Sequence, residues 1–549
     1  MEIENLPNEL LEKIFYYLPV EDLESAALVC LPWKAIILSV IIPKSVPIHI
    51  KPVHPVTHQL NPVPAMLSAQ MMNPFAKSHY KLTISDADLP QTPEFIDFFR
   101  QCGPNLKSLA LQVMRLTEPI LQAFPYLHNL EELRLTTESD EPYGQRPQNP
   151  EIYLASLKNL KSLKLHLANY FILQNASLLN SAPLTTICFK RFEAELHQLK
   201  PFLQNHSGTL RNLTVRVEEM KPFLHFLNSL PKLKLRKLDV KSAGNEDDFT
   251  DALVMLFDQQ PQLRILRIGS ELSLRAVAAI PKTLFELEEL ELIAESIHNC
   301  KAFGQLKKLR KLNMILYDVR AWDETASLES VVELSLSVTF PLISPAIFCS
   351  FPNAKRFYLE DVDDDTLMRD IIVVRTLMEK VQSVEHLDLE NYVLKEREIL
   401  NDSVDRFDRI EGLRSLRYSC RDMSDASLLT MALPELRELY LTHCPRVSFK
   451  GISFLTRNCP QLESLQFEYN KEGFNDDCID IITRKLPRLR RLVLVNLKEL
   501  TNETVLSIVA NCKRLRELTF SYCVGITMEK AEAIEKLSSL KTLRNLVYS

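Results

Sequence analysis

The chain has 549 residues, of which 65 are basic and 71 acidic, so its formal net charge is -6. This balance argues against a protein that binds polyanions over its whole surface, and nucleic acid is not an expected partner. The eleven cysteines form no Cys-x-x-Cys pair, the amino terminus has no basic and apolar signal segment, and apolar stretches stay far short of the roughly 18 residues of a membrane helix. We therefore expect a reduced, soluble, unanchored protein with no membrane partner, located in the cytoplasm, the nucleus or both.

The first forty residues predict three short helices. Prolines at positions 7, 19 and 32 divide this run, and proline suits the first turn of a helix because its missing N–H is not needed there. We expect Pro32 to start the third helix. On the first helix, apolar residues are expected on one side at Leu10, Leu11, Ile14, Phe15 and Leu18. A module of about forty residues cannot close a sizeable core, so its apolar faces need a partner.

This run resembles an F-box. The matching positions are Leu6, Pro7, Glu9, Leu10, Ile14, Phe15, Leu18, Asp22, Leu23, Val29, Cys30 and Trp33, whereas Pro32 stands where a basic residue is more usual. In that family the helices dock onto the Skp adaptor, and the resemblance implies adaptor contacts from Leu6, Pro7, Leu10, Ile14, Leu18, Val29 and Trp33. A purely structural helical cap on the first repeat is the alternative, and it leaves the tryptophan and two separate apolar faces unexplained.

A proline-rich connector follows the helical module. Seven prolines lie between Pro43 and Pro74 without a helical period, which favours extended or loop structure. The segments 45–50 and 78–84 are expected as edge strands that cap the first repeat. Histidines 49, 54 and 58 are a weak metal candidate, because a proline separates the last two and no cysteine or carboxylate is nearby. The predicted domains are residues 1–43, the F-box, 44–77, the connector with a capping strand, and 78–549, the repeats.

Seventeen phrases of the form Leu-x-x-Leu-x-Leu, or an apolar variant, start at intervals of 22 to 30 residues between residues 106 and 520. The period is typical of leucine-rich repeats, in which each turn is a strand plus a return segment and stacking buries the leucines. One return, residues 475–486, predicts a helix capped by Asn475 with Ile479, Ile482 and Leu486 facing inward. The predicted fold is α/β: a small three-helix F-box followed by a curved solenoid of about 17–18 repeats, with a parallel concave sheet and a helical convex side.

The later repeats, from residue 436 to 520, resemble the cysteine-containing subtype. We predict that their thiols are small buried core groups rather than redox or ligand groups. The residues concerned are Cys444, Cys459, Cys512 and Cys523.

The second, fourth and sixth residues after each starting leucine are expected on the exposed concave face. There the first seven repeats carry seven basic and two acidic residues, and the next five carry two basic and six acidic residues. We therefore predict a bipolar groove that binds a protein substrate, although charges that only keep the face soluble are the alternative. The candidate contacts are Arg134, Lys164, Lys190, Arg216, Arg267, Glu291 and Asp388, with Tyr358 and Tyr440 as exposed aromatic anchors.

The sequence contains none of the common catalytic motifs. No G-x-G-x-x-G, phosphate-binding loop, H-E-x-x-H or RING-like spacing occurs, so we expect a non-catalytic chain without metal or cofactor.

An F-box followed by leucine-rich repeats looks like the substrate receptor of an SCF (Skp, cullin, F-box) ubiquitin ligase. The resemblance implies binding to the Skp adaptor and, through it, cullin, while the repeats present a protein for ubiquitylation and proteasomal degradation. Catalysis would then come from proximity. The alternatives are a scaffold that uses its F-box for assembly without ubiquitylation, and a receptor whose basic residues hold an inositol phosphate, as in plant hormone receptors of this family.

Overall fold

The structure is a computed structural model. It describes residues 6–18, 23, 25–37, 40, 48–50, 81–85, 93–113, 118–137, 154–166, 179–190, 196–242, 248–319, 322–323, 325–338, 345–361, 383–394, 410, 412–420, 424–429, 431–470, 473–527 and 542–546. The chain divides into two compact units. Apart from residues 55–58, which group with the second unit, the first unit ends at Gln260 and the second begins at Pro261.

The first unit begins with a small helical module. Helix α1 spans Asn8–Tyr16 and α2 spans Leu31–Ile36, and Leu23, Ser25 and Ala26 between them are also helical. Pro7 occupies the N-cap position of α1, and Pro32 lies in the first turn of α2, as predicted for the third helix. The predicted helix start at Pro19 lies outside the described residues.

The core of this module is small. Its buried members are Leu11, Phe15, Leu23, Ile36 and Ile37. The half-buried ring of Trp33 closes one side by an edge contact with Phe15, at 5.0 Å between ring centroids. The core therefore holds only a few side chains.

The rest of the first unit alternates strands and short helices. Its strands are β1 (Ile48–Ile50), β2 (Lys81–Ser85), β3 (Ser108–Val113), β4 (Glu132–Thr137), β5 (Ser162–His166), β6 (Thr186–Lys190), β7 (Asn212–Val217) and β8 (Lys237–Ser242). The described helices are α3 (Pro93–Cys102), α4 (Glu118–Gln122), α5 (Leu196–His206), α6 (Met220–Asn228) and α7 (Thr250–Gln259), with short 3-10 helices at Gly103–Asn105 and Phe124–Tyr126. Every neighbouring pair from β1 to β8 is parallel, and the pairing of β1 with β2 confirms the two strands expected before the first repeat.

The second unit continues the same pattern. Its strands are β9 (Ile265–Leu272), β10 (Glu289–Ala294), β11 (Lys311–Leu316), β12 (Glu333–Val338), β13 (Arg356–Asp361), β14 (His386–Leu394), β15 (Ser415–Cys420), β16 (Glu438–Thr442), β17 (Ser464–Asn470), β18 (Arg491–Leu497), β19 (Glu517–Ser521) and β20 (Thr542–Leu546). The helices are α8 (Leu274–Thr283), α9 (Asp425–Leu429), α10 (Phe449–Asn458), α11 (Asp476–Lys485) and α12 (Asn502–Asn511), with 3-10 helices at Cys300–Gln305 and Pro345–Ser350. All neighbouring strands pair in parallel.

Each of the seventeen leucine phrases leads into one strand, from β3 to β19, and the strand starts two residues after the first leucine. The second and third leucines of each phrase are buried while their neighbours are more exposed, as in Ser108–Val113. A strand with one buried face requires this alternation. The helical module followed by parallel strands with helical returns confirms the predicted α/β repeat class.

The helices of the later repeats are joined at their amino ends by side-chain hydrogen bonds. The carboxylate of Asp476, in the first turn of α11, accepts from the backbone N–H of Thr501 at 2.9 Å and from the hydroxyl of Thr504 at 2.6 Å. The prediction that the Asn475 side chain caps α11 is wrong. Asn475 occupies the N-cap position, but its side chain makes no capping hydrogen bond, and its Oδ1 is buried without a partner among the described residues.

Candidate adaptor-binding surface and repeat face

The helical module exposes a concentrated apolar surface. Leu10 is 44% exposed, Ile14 41%, Leu28 85%, Val29 57% and Leu31 80%. Scattered exposed apolar residues are ordinary, but seven of the seventeen exposed large hydrophobic residues in the described part of the chain lie between positions 10 and 31. We call Leu10, Ile14, Leu28, Val29 and Leu31 the apolar surface.

Helix α1 explains why part of this surface faces outward. Leu11 and Phe15 are buried in the module core, whereas Leu10 and Ile14, one residue earlier in each turn, are exposed. A helix turns by about 100° per residue, so each pair occupies a different side. The expectation that all five apolar residues of α1 share one side is therefore wrong, and the helix carries an inner and an outer apolar face.

The predicted adaptor contacts divide between these two environments. Pro7, Leu10, Ile14 and Val29 are exposed, whereas the others pack partly against the core: Leu6, Leu18 and Trp33. The buried indole Nε1 of Trp33 has no hydrogen-bond partner among the described residues. Contact of any of these residues with an adaptor stays a prediction. The sequence prediction did not include Leu28 and Leu31, because Leu28 lies in a turn and Leu31 is only the first residue of α2, so helical periodicity singles out neither.

In the first unit, the sheet face opposite the buried leucines carries the predicted basic residues. Arg134 lies beside Lys164 in the register of β4 and β5, and Lys190 and Arg216 are exposed further along. The Lys164 ammonium forms an ion pair with the carboxylate of Glu132 on the neighbouring strand. Burial raises the pKa of Glu132, but the hydrogen bond and positive charge of Lys164 outweigh this effect, and the pKa is lowered overall. Part of the predicted positive charge is thus neutralised locally.

The second unit shows the same local pairing. Arg267 lies 3.0 Å from a carboxylate oxygen of Glu289 and 3.8 Å from one of Glu291. Lys311 pairs with Glu333. Cross-strand pairs of opposite charge stabilise a sheet modestly, and they weaken the field that each partner projects into solvent. The bipolar charge of the groove stays a prediction.

Tyr440 is not the exposed anchor that the sequence predicts. Only 8% of this residue is accessible, because the guanidinium groups of Arg417 and Arg491 lie 4.5 Å and 5.5 Å from its ring centroid. Its hydroxyl is 3.3 Å from that of Ser464. The ring is therefore a support for two arginines, and each of these also lies near a carboxylate, Asp388 for Arg417 and Glu517 for Arg491.

The two remaining predicted contacts, Tyr358 and Asp388, lie opposite each other in the register of β13 and β14, and both are half-buried. Burial raises the pKa of Tyr358, and the negative charge of Glu333 adds to this effect. Arg417 is 3.8 Å from Asp388, so this acidic residue also takes part in an ion pair.

A row of left-handed residues marks the ends of four strands. His443, Tyr469, Asn496 and Tyr522 have φ between 52° and 58°. Bulky residues seldom adopt this conformation. The residues that follow turn inward: the buried Asn470 amide donates to the carbonyl of Val447 at 2.9 Å, and the Cys523 thiol to that of Leu494 at 3.5 Å. The left-handed conformation therefore directs the side chains that follow into the core, while the side chains of Tyr469 and Tyr522 are exposed.

The predicted cysteine environment is confirmed. All four thiols of the later repeats are buried, and burial raises the pKa of Cys459 to about 11 and that of Cys512 to about 12. Such thiols carry little thiolate at neutral pH and are poor nucleophiles.

The weak metal candidate consists of three histidines of the connector. Histidine 49 lies in β1, and histidines 54 and 58 lie outside the described residues. Within the described part of the chain, no group of three or more His, Cys, Asp or Glu residues is arranged to hold a metal ion. The described helices are all too short or too polar to cross a membrane.

Comparison with known proteins identifies the helical module. Residues 3–42 match the family model for the F-box-like domain. The match contains α1, α2, the module core and the whole apolar surface. No curated protein matches the chain significantly. The chain thus carries an amino-terminal F-box-like domain joined to a parallel-strand repeat region.

Proposed function

We propose that this protein is the substrate-recognition subunit of an SCF-type ubiquitin ligase. Its F-box-like domain binds a Skp adaptor and, through it, cullin. The repeats hold a target protein for ubiquitylation and proteasomal degradation. The chain itself is a non-catalytic receptor that acts in the cytoplasm, the nucleus or both.

One observation carries the adaptor part of this proposal: the F-box-like module leaves its apolar surface uncovered in the described structure. Burying a large apolar side chain contributes roughly 1.5 to 3 kcal/mol, so a few of these residues are enough for a stable interface. The repeats support the receptor part, since stacked repeats present extended surfaces that suit protein recognition.

Replacement of two residues on the outer side of α1 tests adaptor binding. Leu10→Asp with Ile14→Asp places two charges in the proposed interface without altering the buried Leu11 and Phe15. We expect co-purification of the full chain with a recombinant Skp adaptor to be lost, while thermal unfolding of the repeats stays unchanged. Undiminished co-purification of the variant would refute the adaptor role.

Ubiquitylation is tested separately, because the alternative scaffold also binds the adaptor. The proposal requires cullin to co-purify with the wild-type chain, and it requires proteins captured by the repeats to have longer lifetimes when the chain is depleted. If captured proteins keep the same lifetime after depletion, the chain is a scaffold rather than a ligase receptor.

A further inference from the structure

Four arginines form a compact cluster at the entry edge of β18 and β19. Arg490 and Arg516 immediately precede these strands, and the backbone N–H of Arg516 donates to the carbonyl of Arg490 at 2.7 Å. Arg488 and Arg514 lie two residues earlier. Both are in turns of the same form, because the backbone N–H groups of Leu489 and Leu515 each donate to the carbonyl of the residue three positions earlier. The backbone hydrogen bond places Arg516 beside Arg490, and the matching turns place Arg514 and Arg488 two residues earlier on the same two neighbouring segments. We call these residues the arginine square.

The square lies on the surface. All four arginines are exposed, as are two neighbouring lysines, Lys485 and Lys513. The segment from 484 to 516 contains nine basic and two acidic residues in a chain whose net charge is negative. Positive charge is therefore concentrated in this segment and is not a property of the whole protein.

Only part of this charge is neutralised. Arg490 forms an ion pair with Glu463 at 3.1 Å, and Arg488 donates to the side-chain oxygen of Gln461. Within the described residues, Arg514 and Arg516 form no ion pair. The guanidinium groups of Arg514 and Arg516, both in the segment before β19, are thus available in addition to the paired ones.

Helix electrostatics account for some of the nearby basic residues but not for the square. Basic groups in the last turn of a helix interact favourably with the helix dipole, which explains Arg484 and Lys485 at the end of α11. That effect fades within the last turn. The square lies beyond the helix ends, in the turns that lead into the strands, where this stabilisation does not explain four arginines.

We propose that the arginine square binds an acidic segment of a partner protein. Guanidinium groups bind carboxylates and phosphates through paired hydrogen bonds, and arginine clusters are a recurring means of recognising acidic or phosphorylated segments. The anionic groups of the segment are closely spaced carboxylates, phosphorylated side chains or both. The site lies at the strand-entry edge rather than on the sheet face, and it does not depend on the adaptor role.

Peptide binding to the full chain tests this proposal. The probes are a fluorescein-labelled polyglutamate peptide, a peptide in which phosphoserine alternates with glutamate, and an uncharged peptide of equal length, followed by fluorescence anisotropy. We expect the two anionic peptides to bind, with affinity that falls as salt is added. A preference between them distinguishes carboxylates from phosphates as the ligand. Failure of both to bind overturns the proposal.

Charge reversal locates the site. Arg514→Glu with Arg516→Glu should weaken anionic-peptide binding about 10-fold or more, since two attractive contacts become repulsive. Arg514→Lys with Arg516→Lys keeps the charge but loses the paired geometry, so a smaller loss of about 3-fold is expected. Both positions are exposed, and an unchanged thermal unfolding curve verifies the fold.

A matched control uses Lys232→Glu with Lys234→Glu, an equal change in net charge at two exposed lysines of the first unit. This variant should bind the anionic peptides as the wild type does. Equal weakening by both reversals would show a general charge effect and overturn the proposal. Tighter binding of a single-stranded RNA with the same dependence on Arg514 and Arg516 would assign the square to nucleic acid instead.

Anionic-peptide binding by the arginine square is tested independently of adaptor binding by the F-box-like module. A chain with Leu10→Asp and Ile14→Asp should still bind the anionic peptides, and a chain with Arg514→Glu and Arg516→Glu should still co-purify with the adaptor. If one of the two proposals is refuted, the test of the other is therefore unaffected.

Discussion

The F-box-like module and the repeats bury apolar residues to different extents. In the module, five buried residues form the core and an equally large set of leucines, isoleucine and valine is exposed. In the repeats, each strand buries its leucines against neighbouring turns, so that Leu439, Leu441 and Leu465 are fully inaccessible. A repeat gains its core from the next repeat of the same chain. The described core cluster of the module contains only residues of the module itself, and the proposed adaptor would cover its exposed apolar residues.

The largest expected effect in this comparison concerns the two most exposed leucines of the module. Leu28→Asp with Leu31→Asp should reduce adaptor affinity by more than about 100-fold, because two apolar anchors of roughly 1.5 to 3 kcal/mol each are lost. Titration with purified adaptor measures this. Leu506→Asp, at an exposed leucine on α12, is the matched control and should leave adaptor affinity unchanged. If the variant at Leu28 and Leu31 still bound the adaptor tightly, the adaptor interface would not include these two leucines.

A core substitution in the repeats should lower stability and leave adaptor affinity unchanged. Leu441→Ala removes a fully buried side chain from β16 and should lower the free energy of unfolding by about 2 to 5 kcal/mol. Urea unfolding of the full chain measures this change. Adaptor affinity should remain at the wild-type value. If adaptor binding falls together with stability, the two regions are energetically coupled and the comparison fails.

The hydrogen bonds at the helix amino ends should contribute less. Asp476→Ala leaves the N–H of Thr501 and the hydroxyl of Thr504 without their acceptor, and we expect a loss of about 1 to 3 kcal/mol in unfolding free energy. Asp477→Ala, at the exposed neighbouring residue, is the control and should change stability by less than about 0.5 kcal/mol.

The carboxylate of Asp476 should also make the stability of the fold depend on pH. Burial raises the pKa of Asp476, but the hydrogen bonds from Thr501 and Thr504 outweigh it and the pKa is lowered overall. A lowered folded-state pKa means that this stabilisation is present above the unfolded value, about 3.9, and is lost as the pH falls through the folded value. The Asp476→Ala variant should therefore lose less stability than the wild type on acidification below about pH 4.

The smallest effect is expected at His206, which is buried at the end of α5 against the ring of Phe202. Burial lowers its pKa, so the folded state binds the proton more weakly than the unfolded state does. Stability should fall as the pH drops below the unfolded value of about 6.5. His206→Phe should reduce this loss in unfolding curves between pH 7 and 5, whereas His225→Gln, at an exposed histidine, should not. An unchanged pH profile in His206→Phe would show that another group titrates.

Local sequence patterns predicted the repeat fold well. The position of each strand follows directly from its leucines, because alternation and burial are properties of five or six consecutive residues. The buried thiols of Cys459 and Cys512 followed from the same repeat pattern.

Features that depend on residues far apart in the chain were not predicted. Tyr440 is covered by Arg417 and Arg491, which come from strands 23 residues before and 51 residues after it. The arginine square arises only when two turns 26 residues apart are brought side by side, and counting charges on the strand positions omits it. Register and turn geometry, rather than local pattern, determine these contacts.

Hydrogen exchange of the full chain with and without a purified Skp adaptor tests the central claim most directly. The account predicts that the adaptor protects backbone amides in α1, in residues 25–30 and in α2, while amides of β16 to β19 exchange at unchanged rates. Protection confined to the repeats, with none in residues 8–36, would contradict the assignment of the exposed apolar surface as the adaptor-binding site.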